Sequence, residues 1–208
     1  MSERYYLTSG GHVLISGPTG AGERYGGKST TADWWQDNLL GNGWVDVSVS
    51  IDPGGAGYTG MVVNTLRELA EAFKTGTRQF VWPHSERVDA LVETVDRLPG
   101  TATIVFDEAW MYPESEGMEN CIRNLGNQDE PVTGLVVSQR AWDLPDAIRN
   151  SCPLKVWVGP MTNEGEKYFK TSGMGHIPDE VDPEPYQWVV TDGGELIDVN
   201  EPVPEEYA

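Results

Sequence analysis

A glycine-rich loop between a short apolar run and a helical stretch constrains this chain more than any other feature. The apolar residues 13–16 lead into a series of glycines that ends in Gly27-Lys28-Ser29-Thr30, and residues 31–40 are predicted to be helical. In such a turn, backbone N–H groups and the N-terminus of the following helix form a concave anion site, which bulky side chains would block. The order strand, glycine loop, Lys-Ser-Thr and helix therefore predicts a phosphate-binding loop.

The loop is longer than the usual pattern requires. Counted back from Lys28, residues 22–29 contain two glycines five apart followed by Lys and Ser. Counted forward from the strand, residues 17–22 begin a second register, whose lysine is displaced by an insertion at residues 23–27. If both ends of the loop keep their usual geometry, residues 23–26 bulge outward. Arg24 or Tyr25 would then touch the nucleotide or a neighbouring subunit.

The loop residues have distinct predicted roles toward a nucleoside triphosphate. Lys28 supplies a positive charge to the β- and γ-phosphates, and Ser29 supplies a hydroxyl ligand to Mg²⁺. The residues predicted to bind the nucleotide are Gly20, Ala21, Gly22, Gly26, Gly27, Lys28, Ser29 and Thr30. The alternative is a glycine-rich surface turn without a ligand. It does not explain why the strand, the glycine loop, Lys-Ser-Thr and the helix follow one another in this order along the sequence.

Apolar runs alternate with helical stretches, which is typical of a parallel α/β sheet. Strands are predicted at residues 13–16, 45–51, 79–82, 103–106, 135–138 and 154–158, and helices at residues 29–40, 62–74, 85–98, 116–125 and 144–149. Residues 163–170 are predicted as a short helix and residues 177–185 as a proline-rich acidic connector. Two runs at 186–191 and 195–199 flank Asp192-Gly193-Gly194, a hairpin signal that predicts either an edge hairpin on the sheet or an oligomer contact.

Composition limits the class of protein. The length of 208 residues predicts one domain, and the two cysteines, Cys121 and Cys152, lack metal-ligand spacing and are predicted to be structural thiols. No apolar run approaches the roughly 18 residues that span a bilayer, and the N-terminus lacks the apolar core of a signal peptide. The sequence therefore predicts a soluble, cytoplasmic protein.

The charge balance is strongly acidic. Thirty-three Asp and Glu residues against fourteen Lys and Arg residues give a formal net charge of −19, and the acidic residues are spread along the chain. A dispersed acidic surface with few lysines resembles proteins of salt-loving organisms, although an acidic mesophilic protein would have the same composition. The composition lacks the cluster of Lys and Arg residues typical of nucleic-acid-binding proteins, which argues against a nucleic-acid partner. High salt weakens this argument, because counterion release then contributes little to the affinity of any protein for nucleic acid.

Two further strand ends carry polar groups that suit hydrolysis of a triphosphate. Residues 103–106 run directly into Asp107 and Glu108, of which Asp107 is placed to bind Mg²⁺ and Glu108 to act on the attacking water. Residues 134–138 form a further apolar run that is followed by Gln139. Gln139 would reach the γ-phosphate or its water if this strand lies beside the strand of the glycine loop and the strand that precedes Asp107. A glutamine at a strand end is also commonly a solvated terminus.

These segments together resemble the FtsK/HerA branch of phosphate-loop motor ATPases. The resemblance covers about residues 10–160 and includes the loop ending at Thr30, the VFDE at 105–108, and VVSQRAWDLPDAIRNSCPLKVWVG at 136–159. Within the branch, the chain is most similar to the small genome-packaging ATPases of membrane-containing icosahedral viruses, here of a haloarchaeal host. The resemblance implies a RecA-like α/β sandwich in three layers, with a mainly parallel sheet in which the Gln139 strand lies between the other two.

The resemblance also implies a ring, commonly a hexamer, that threads double-stranded DNA through its pore. Ring ATPases of this kind use an arginine from the adjacent subunit to neutralise transition-state charge. Arg149 is the first candidate, followed by Arg140 and Arg123. Residues 110–112, Trp-Met-Tyr, would lie on a pore loop or pack in the core, whereas Trp34 and Trp35 are predicted to pack the first helix against the sheet.

The leading hypothesis is an Mg²⁺-dependent ATPase that translocates double-stranded DNA, for packaging of a viral genome into a preformed capsid. Its catalytic residues would be Lys28, Glu108, Gln139 and Arg149, with Ser29 and Asp107 at the metal. Its partners would be ATP, DNA, further copies of the chain and a capsid or portal-vertex protein, in the host cytoplasm or at the packaging vertex. Two alternatives stay open: a phosphate-loop phosphotransferase, and a nucleotide-dependent assembly protein with little turnover.

Overall fold

The computed structural model describes residues 11–18, 27–129, 131–184 and 186–203. The strands are β1 (Val13–Ser16), β2 (Val47–Ile51), β3 (Met61–Val62), β4 (Gln79–Trp82), β5 (Ala102–Phe106), β6 (Val132–Ser138), β7 (Leu154–Val158), β8 (Trp188–Asp192) and β9 (Glu195–Asn200). The helices are α1 (Lys28–Gly41), α2 (Leu66–Lys74), α3 (Val88–Asp96), α4 (Glu116–Arg123), α5 (Asp146–Ser151), α6 (Asn163–Thr171) and α7 (Ile177–Glu180).

All these strands form one sheet, in the order β3-β4-β2-β5-β6-β1-β7-β8-β9. The pairs from β3 to β7 are parallel, and the last two pairs, β7 with β8 and β8 with β9, are antiparallel. The central strands β1, β2, β5 and β6 are buried along their whole length, which explains why they are continuous apolar or small-residue runs without alternation. The predicted α/β class and mainly parallel sheet are confirmed.

The C-terminal hairpin continues the sheet, as the first of the two sequence-based alternatives expected. Its strand β8 pairs with β7 in the register Val156 to Val190. Trp188 at the start of β8 is buried and contacts Trp34 and Trp35 of α1, with ring centroids 5.6 and 5.8 Å apart. The prediction that these two tryptophans pack α1 against the sheet is therefore confirmed.

Side chains pack on both faces of the sheet. One apolar layer lies under α1 and contains Ile15, Trp35 and Val137. The other lies under the remaining helices and contains Leu14, Phe106 and Trp157, with both cysteine thiols buried in it. Burial raises the pKa of Cys152 to about 12, so this thiol stays protonated and unreactive at neutral pH, as expected of a structural cysteine.

Several element boundaries differ from the sequence expectation for local reasons. Helix α2 begins at Leu66, not at residue 62, because Thr65 and Glu68 form a capping box and residues 61–62 pair with β4 as β3. Helix α3 begins at Val88, not at residue 85, because Arg87 has a left-handed backbone with φ of 65°. The connector predicted at residues 177–185 contains the short helix α7.

Candidate functional site

The strand order brings three polar strand ends to one edge of the sheet. Strand β6 lies between β1, which leads to the glycine loop, and β5, which leads to Asp107 and Glu108. The resemblance implied this order, and the structure confirms it. Because the carboxyl ends of parallel strands meet at the same edge, the groups that follow β1, β5 and β6 converge on one site.

The first contact at this edge joins the glycine loop to β5. Gly27, with φ of 81°, precedes α1, and the Ser29 hydroxyl in the first turn of that helix donates a hydrogen bond to Oδ2 of Asp107 at 3.2 Å. Asp107 is itself buried, at 3% exposure, and its Oδ1 accepts the backbone N–H of Glu108 at 3.0 Å. The hydroxyl and the carboxylate are therefore held side by side by the fold.

Lys28 lies in the same site and is buried. Its Nζ donates a hydrogen bond to the backbone carbonyl of Pro18 at 3.1 Å. Burial lowers the pKa of Lys28, and the negative charges of Glu108 and Asp107 oppose that effect. Both carboxylates thus act on the ammonium group electrostatically, and an anion bound beside Lys28 would replace the solvation that it has lost.

Four of the residues predicted to bind nucleotide are described and four are not. Gly27, Lys28, Ser29 and Thr30 form the end of the loop and the start of α1. Gly20, Ala21, Gly22 and Gly26 lie outside the described residues, as do Arg24 and Tyr25 of the predicted bulge. At the other end of the loop, a Cβ on Gly17 would stand 2.4 Å from the carbonyl oxygen of Val158, so this turn requires glycine.

Glu108 is held from two sides. Its Oε1 accepts a hydrogen bond from Nε2 of Gln139 at 3.0 Å, and its Oε2 accepts one from the indole N–H of Trp110. The backbone of Glu108 is left-handed, with φ of 47° and ψ of 45°, which is uncommon for a residue other than glycine and occurs often at functional sites. The expectation that Gln139 lies near Glu108 is met by direct contact.

The two carboxylates have different environments. Burial raises the pKa of Asp107 from 3.8 to about 6, against the opposing hydrogen bond from the Glu108 amide. Nearby Tyr112 is buried, and its hydroxyl donates to the backbone carbonyl of Asp107. Trp110 and Met111 are 50% and 42% exposed. Of the Trp-Met-Tyr segment at residues 110–112, the first two side chains therefore lie at the surface and Tyr112 lies in the core.

The loop after β2 adds residues that the sequence analysis did not identify. Asp52, at the carboxyl end of β2, accepts the amides of Ala56 at 2.7 Å and Gly57 at 3.1 Å. Tyr58 then lies with its side chain buried, and the charges of Asp107 and Asp52 both act on its hydroxyl. Burial raises the pKa of Tyr58 well above its ordinary value, so the hydroxyl stays protonated.

The candidate arginines lie in three different surroundings. Arg149 is 22% exposed and pairs with Asp146 of its own helix. Arg140 follows Gln139 directly and is 69% exposed, and Arg123 pairs with Glu119 along α4. These contacts all lie within the chain, and the assignment of an arginine that acts on a neighbouring subunit stays a prediction.

The residues present fit a magnesium ion bound together with a triphosphate. Among the described residues there is no group of three His, Cys, Asp or Glu side chains that would hold a metal by themselves. Ser29 and Asp107 offer one hydroxyl and one carboxylate oxygen 3.2 Å apart, which is the small protein share that Mg²⁺ takes when phosphates and water supply the other ligands.

Comparison with solved structures places the fold among packaging and coupling ATPases. The genome packaging NTPase B204 of Sulfolobus turreted icosahedral virus 2, solved with AMPPCP, superposes with a TM-score of 0.73 at 13% identity, over 93% of this chain and 98% of that one. The DNA-packaging ATPase B204 of Sulfolobus turreted icosahedral virus superposes with a TM-score of 0.69 at 15% identity, over 95% of this chain and 100% of that one. The conjugation coupling protein TcpA of pCW3, solved with ATPγS, covers 93% of this chain and 60% of its own, with a TM-score of 0.63 at 13% identity.

This chain has the fold of those ATPases. The resemblance inferred from the sequence is thus confirmed at the level of the fold. No protein-family profile and no curated protein sequence matches the chain. Among the described residues, no helix is both long and apolar enough to cross a membrane.

Proposed function

We propose that this chain is an ATPase that translocates double-stranded DNA, and that it packages a viral genome into a preformed capsid. The proposal depends on the convergence of the Ser29–Asp107 and Glu108–Gln139 pairs at one edge of the sheet. The fold supports the DNA-related part, since more than nine-tenths of the chain superposes on a viral genome packaging NTPase.

The proposed reaction is the hydrolysis of ATP to ADP and phosphate. Lys28 binds the β- and γ-phosphates, and the loop amides surround them. Mg²⁺, which Ser29 and Asp107 would hold, supplies charge neutralisation to the triphosphate. Glu108 accepts a proton from the attacking water while the water oxygen bonds to the γ-phosphorus and the bond from that phosphorus to the bridging oxygen breaks.

Gln139 has a positioning role in this proposal. Its amide donates to Oε1 of Glu108 at 3.0 Å, which fixes the direction of the carboxylate toward the water. The amide must reorient if it is to contact the γ-phosphate, so nucleotide binding and the position of Glu108 are linked through this side chain. This link gives the strand between β1 and β5 a function beyond support of the sheet.

Contact with DNA is proposed for the short segment after Glu108. Trp110 and Met111 are exposed, and contact of these side chains with the sugar-phosphate backbone of duplex DNA would need no net positive charge and would not read sequence. The chain carries a net charge of −19, which makes DNA binding at low salt unfavourable and favours a high-salt medium, such as the interior of a haloarchaeal host.

A ring assembly would complete the proposed motor. We propose a homo-oligomeric ring, a hexamer on DNA, in which an arginine of one subunit reaches the nucleotide of the next, with Arg149 as first candidate and Arg140 as second. A capsid or portal-vertex protein would bind this ring at the packaging vertex, and each subunit would consist of one domain.

The test is phosphate release by the purified chain with ATP and Mg²⁺, with and without duplex DNA, at low and at multimolar salt. DNA-stimulated release at high salt is expected of the motor. Transfer of phosphate to a small acceptor would instead support the phosphotransferase, and nucleotide binding without release at any salt would support the assembly protein.

Two variants separate binding from turnover in the same assay. Lys28→Ala is expected to abolish nucleotide binding. Glu108→Gln keeps the size of the side chain and one of its two acceptor oxygens but removes the base, and it is expected to bind ATP but release no phosphate. ATP hydrolysis at the wild-type rate by Glu108→Gln would refute the role of Glu108.

A further inference from the structure

The hydroxyl of Tyr58 is buried beside the candidate metal site and makes no hydrogen bond to any residue that the structure describes. The side chain is 7% exposed, and its ring packs in the apolar layer under α1. A buried hydroxyl without a partner costs about 1–3 kcal/mol, and such groups are rare in folded proteins. The position of this hydroxyl therefore calls for a physical explanation.

The backbone on both sides of Tyr58 is fixed by carboxylates, so the hydroxyl cannot easily turn away. On one side, Asp52 accepts the amide of Gly57 at 3.1 Å. On the other, Asp33 of α1 accepts both the amide of Thr59 at 3.0 Å and the hydroxyl of Thr59 at 2.8 Å. The loop is thus tied to the carboxyl end of β2 and to α1, whose first turn contains Ser29.

The groups around the hydroxyl are those of the metal site. The charges of Asp107, Asp52 and Asp33 act on the Tyr58 hydroxyl, that of Asp107 most strongly. The Ser29 hydroxyl lies near it as a hydrogen-bonding group, although the two hydroxyls do not form a hydrogen bond of ordinary geometry. A water bound to a cation acts mainly as a hydrogen-bond donor, because the metal takes one of its two lone pairs and polarises its O–H bonds. A phenol hydroxyl can accept such a bond.

We propose that Tyr58 is a positioning residue for the magnesium site, whose hydroxyl, otherwise unpartnered among the described residues, accepts a hydrogen bond from a metal-bound water. The protein then contributes to the metal from three elements: Ser29 from α1, Asp107 from β5, and Tyr58 from the loop after β2. This inference rests on the proposed nucleotide-binding function and extends it to the outer ligands of the cation.

The test is the Mg²⁺ dependence of binding of a fluorescent ATP analogue to Tyr58→Phe, which removes only the hydroxyl. The Mg²⁺ concentration for half-maximal binding is expected to rise about 10- to 100-fold, which is the loss that removal of an outer-shell partner causes. Binding of the analogue in EDTA is expected to stay at the wild-type level, because the loop amides and Lys28 are untouched.

Tyr168→Phe is the matched control. Tyr168 is also fully buried and its hydroxyl also lacks a hydrogen-bond partner among the described residues, but it packs against Trp157 and Phe169 on the other face of the sheet. Both variants are expected to be at least as stable to urea as the wild-type protein without metal, since each loses an unpaired buried hydroxyl. Only Tyr58→Phe is expected to change the Mg²⁺ dependence.

The outcomes distinguish this inference from the proposed function. If wild-type binding depends on Mg²⁺ and Tyr58→Phe shows the same dependence as Tyr168→Phe, the role of Tyr58 is refuted and the ATPase proposal stands. If Tyr58→Phe lowers stability without metal, the hydroxyl has a structural role and the inference is wrong. If binding of the analogue to the wild-type protein shows no Mg²⁺ dependence, the role of Tyr58 and the proposed Mg²⁺-dependent function are both refuted.

Discussion

Asp107→Asn is expected to stabilise the metal-free protein while it removes the carboxylate proposed to bind Mg²⁺. Asp107 is 3% exposed, and burial raises its pKa from 3.8 to about 6. In the folded protein without metal, this carboxylate is therefore charged at neutral pH at a cost. Asparagine has nearly the same shape and carries no charge, so the variant avoids that cost.

The magnitude follows from the pKa values. One pKa unit corresponds to about 1.4 kcal/mol, so a rise from 3.8 to about 6 amounts to about 3 kcal/mol. Because the pKa of Asp107 is raised in the folded state, the contribution of this group to the free energy of unfolding is fully present below pH 3.8. That contribution is lost as the pH rises through about 6. The variant should match the wild-type protein near pH 3.5 and exceed it by about 3 kcal/mol above pH 7.

The assay is urea unfolding in EDTA at constant salt, from pH 3.5 to 8, with Asp129→Asn as the control for removal of an exposed carboxylate. Saturation with ATP and Mg²⁺ at 100 times the dissociation constant should then stabilise the wild-type protein alone, by about 2.7 kcal/mol, which nearly closes the difference. Equal free energies of unfolding for Asp107→Asn and wild type at pH 7, or a difference between them that does not change with pH, would refute the reasoning.

Three further predictions concern the site and its support. Gln139→Leu is expected to bind ATP normally and to hydrolyse it about 100-fold more slowly, measured as kcat, because misorientation of a catalytic group has a cost of that order; an unchanged kcat would contradict it. His12 accepts the Gly134 amide through Nδ1 at 2.9 Å, and burial lowers its pKa from 6.5 to about 4, so it contributes about 3 kcal/mol above pH 6.5 that is lost as the pH falls to 4. His12→Gln should lose less stability over that range in urea unfolding, and parallel curves for the two proteins would be the contrary result. Gly134→Ala would place a Cβ 2.2 Å from Cδ1 of Ile122 and should destabilise the protein by about 1–3 kcal/mol, whereas Gly41→Ala in α1, where a Cβ meets nothing within 4 Å, should not.

Much of the site was predictable because strand ends are visible in a sequence. Asp107, Glu108 and Gln139 each follow an apolar run directly, and parallel strands place such residues at one edge. Asp52 follows β2 in the same way, so the same rule applied to that strand would have identified it. The order of the strands came from the family resemblance, since pairing between distant runs leaves no local pattern.

Tyr58 could not be predicted in this way. It lies in a loop, and its position depends on hydrogen bonds from Gly57 to Asp52 and from Thr59 to Asp33, neither of which has a periodic signal. The start of α2 was missed for a different reason. The capping pair Thr65 and Glu68 was present in the sequence, but the apolar run at residues 61–63 extended the predicted helix over a short strand.

The indole of Trp110 gives the chain an optical probe beside Glu108 of the candidate site. All eight tryptophans lie in described parts of the chain, and Trp110 alone among them is exposed. A water-soluble collisional quencher such as iodide will therefore act mainly on this side chain, whose N–H contacts Glu108. The native fluorescence of the unlabelled protein thus reports when nucleotide, DNA or a neighbouring subunit covers this residue or releases it from the glutamate.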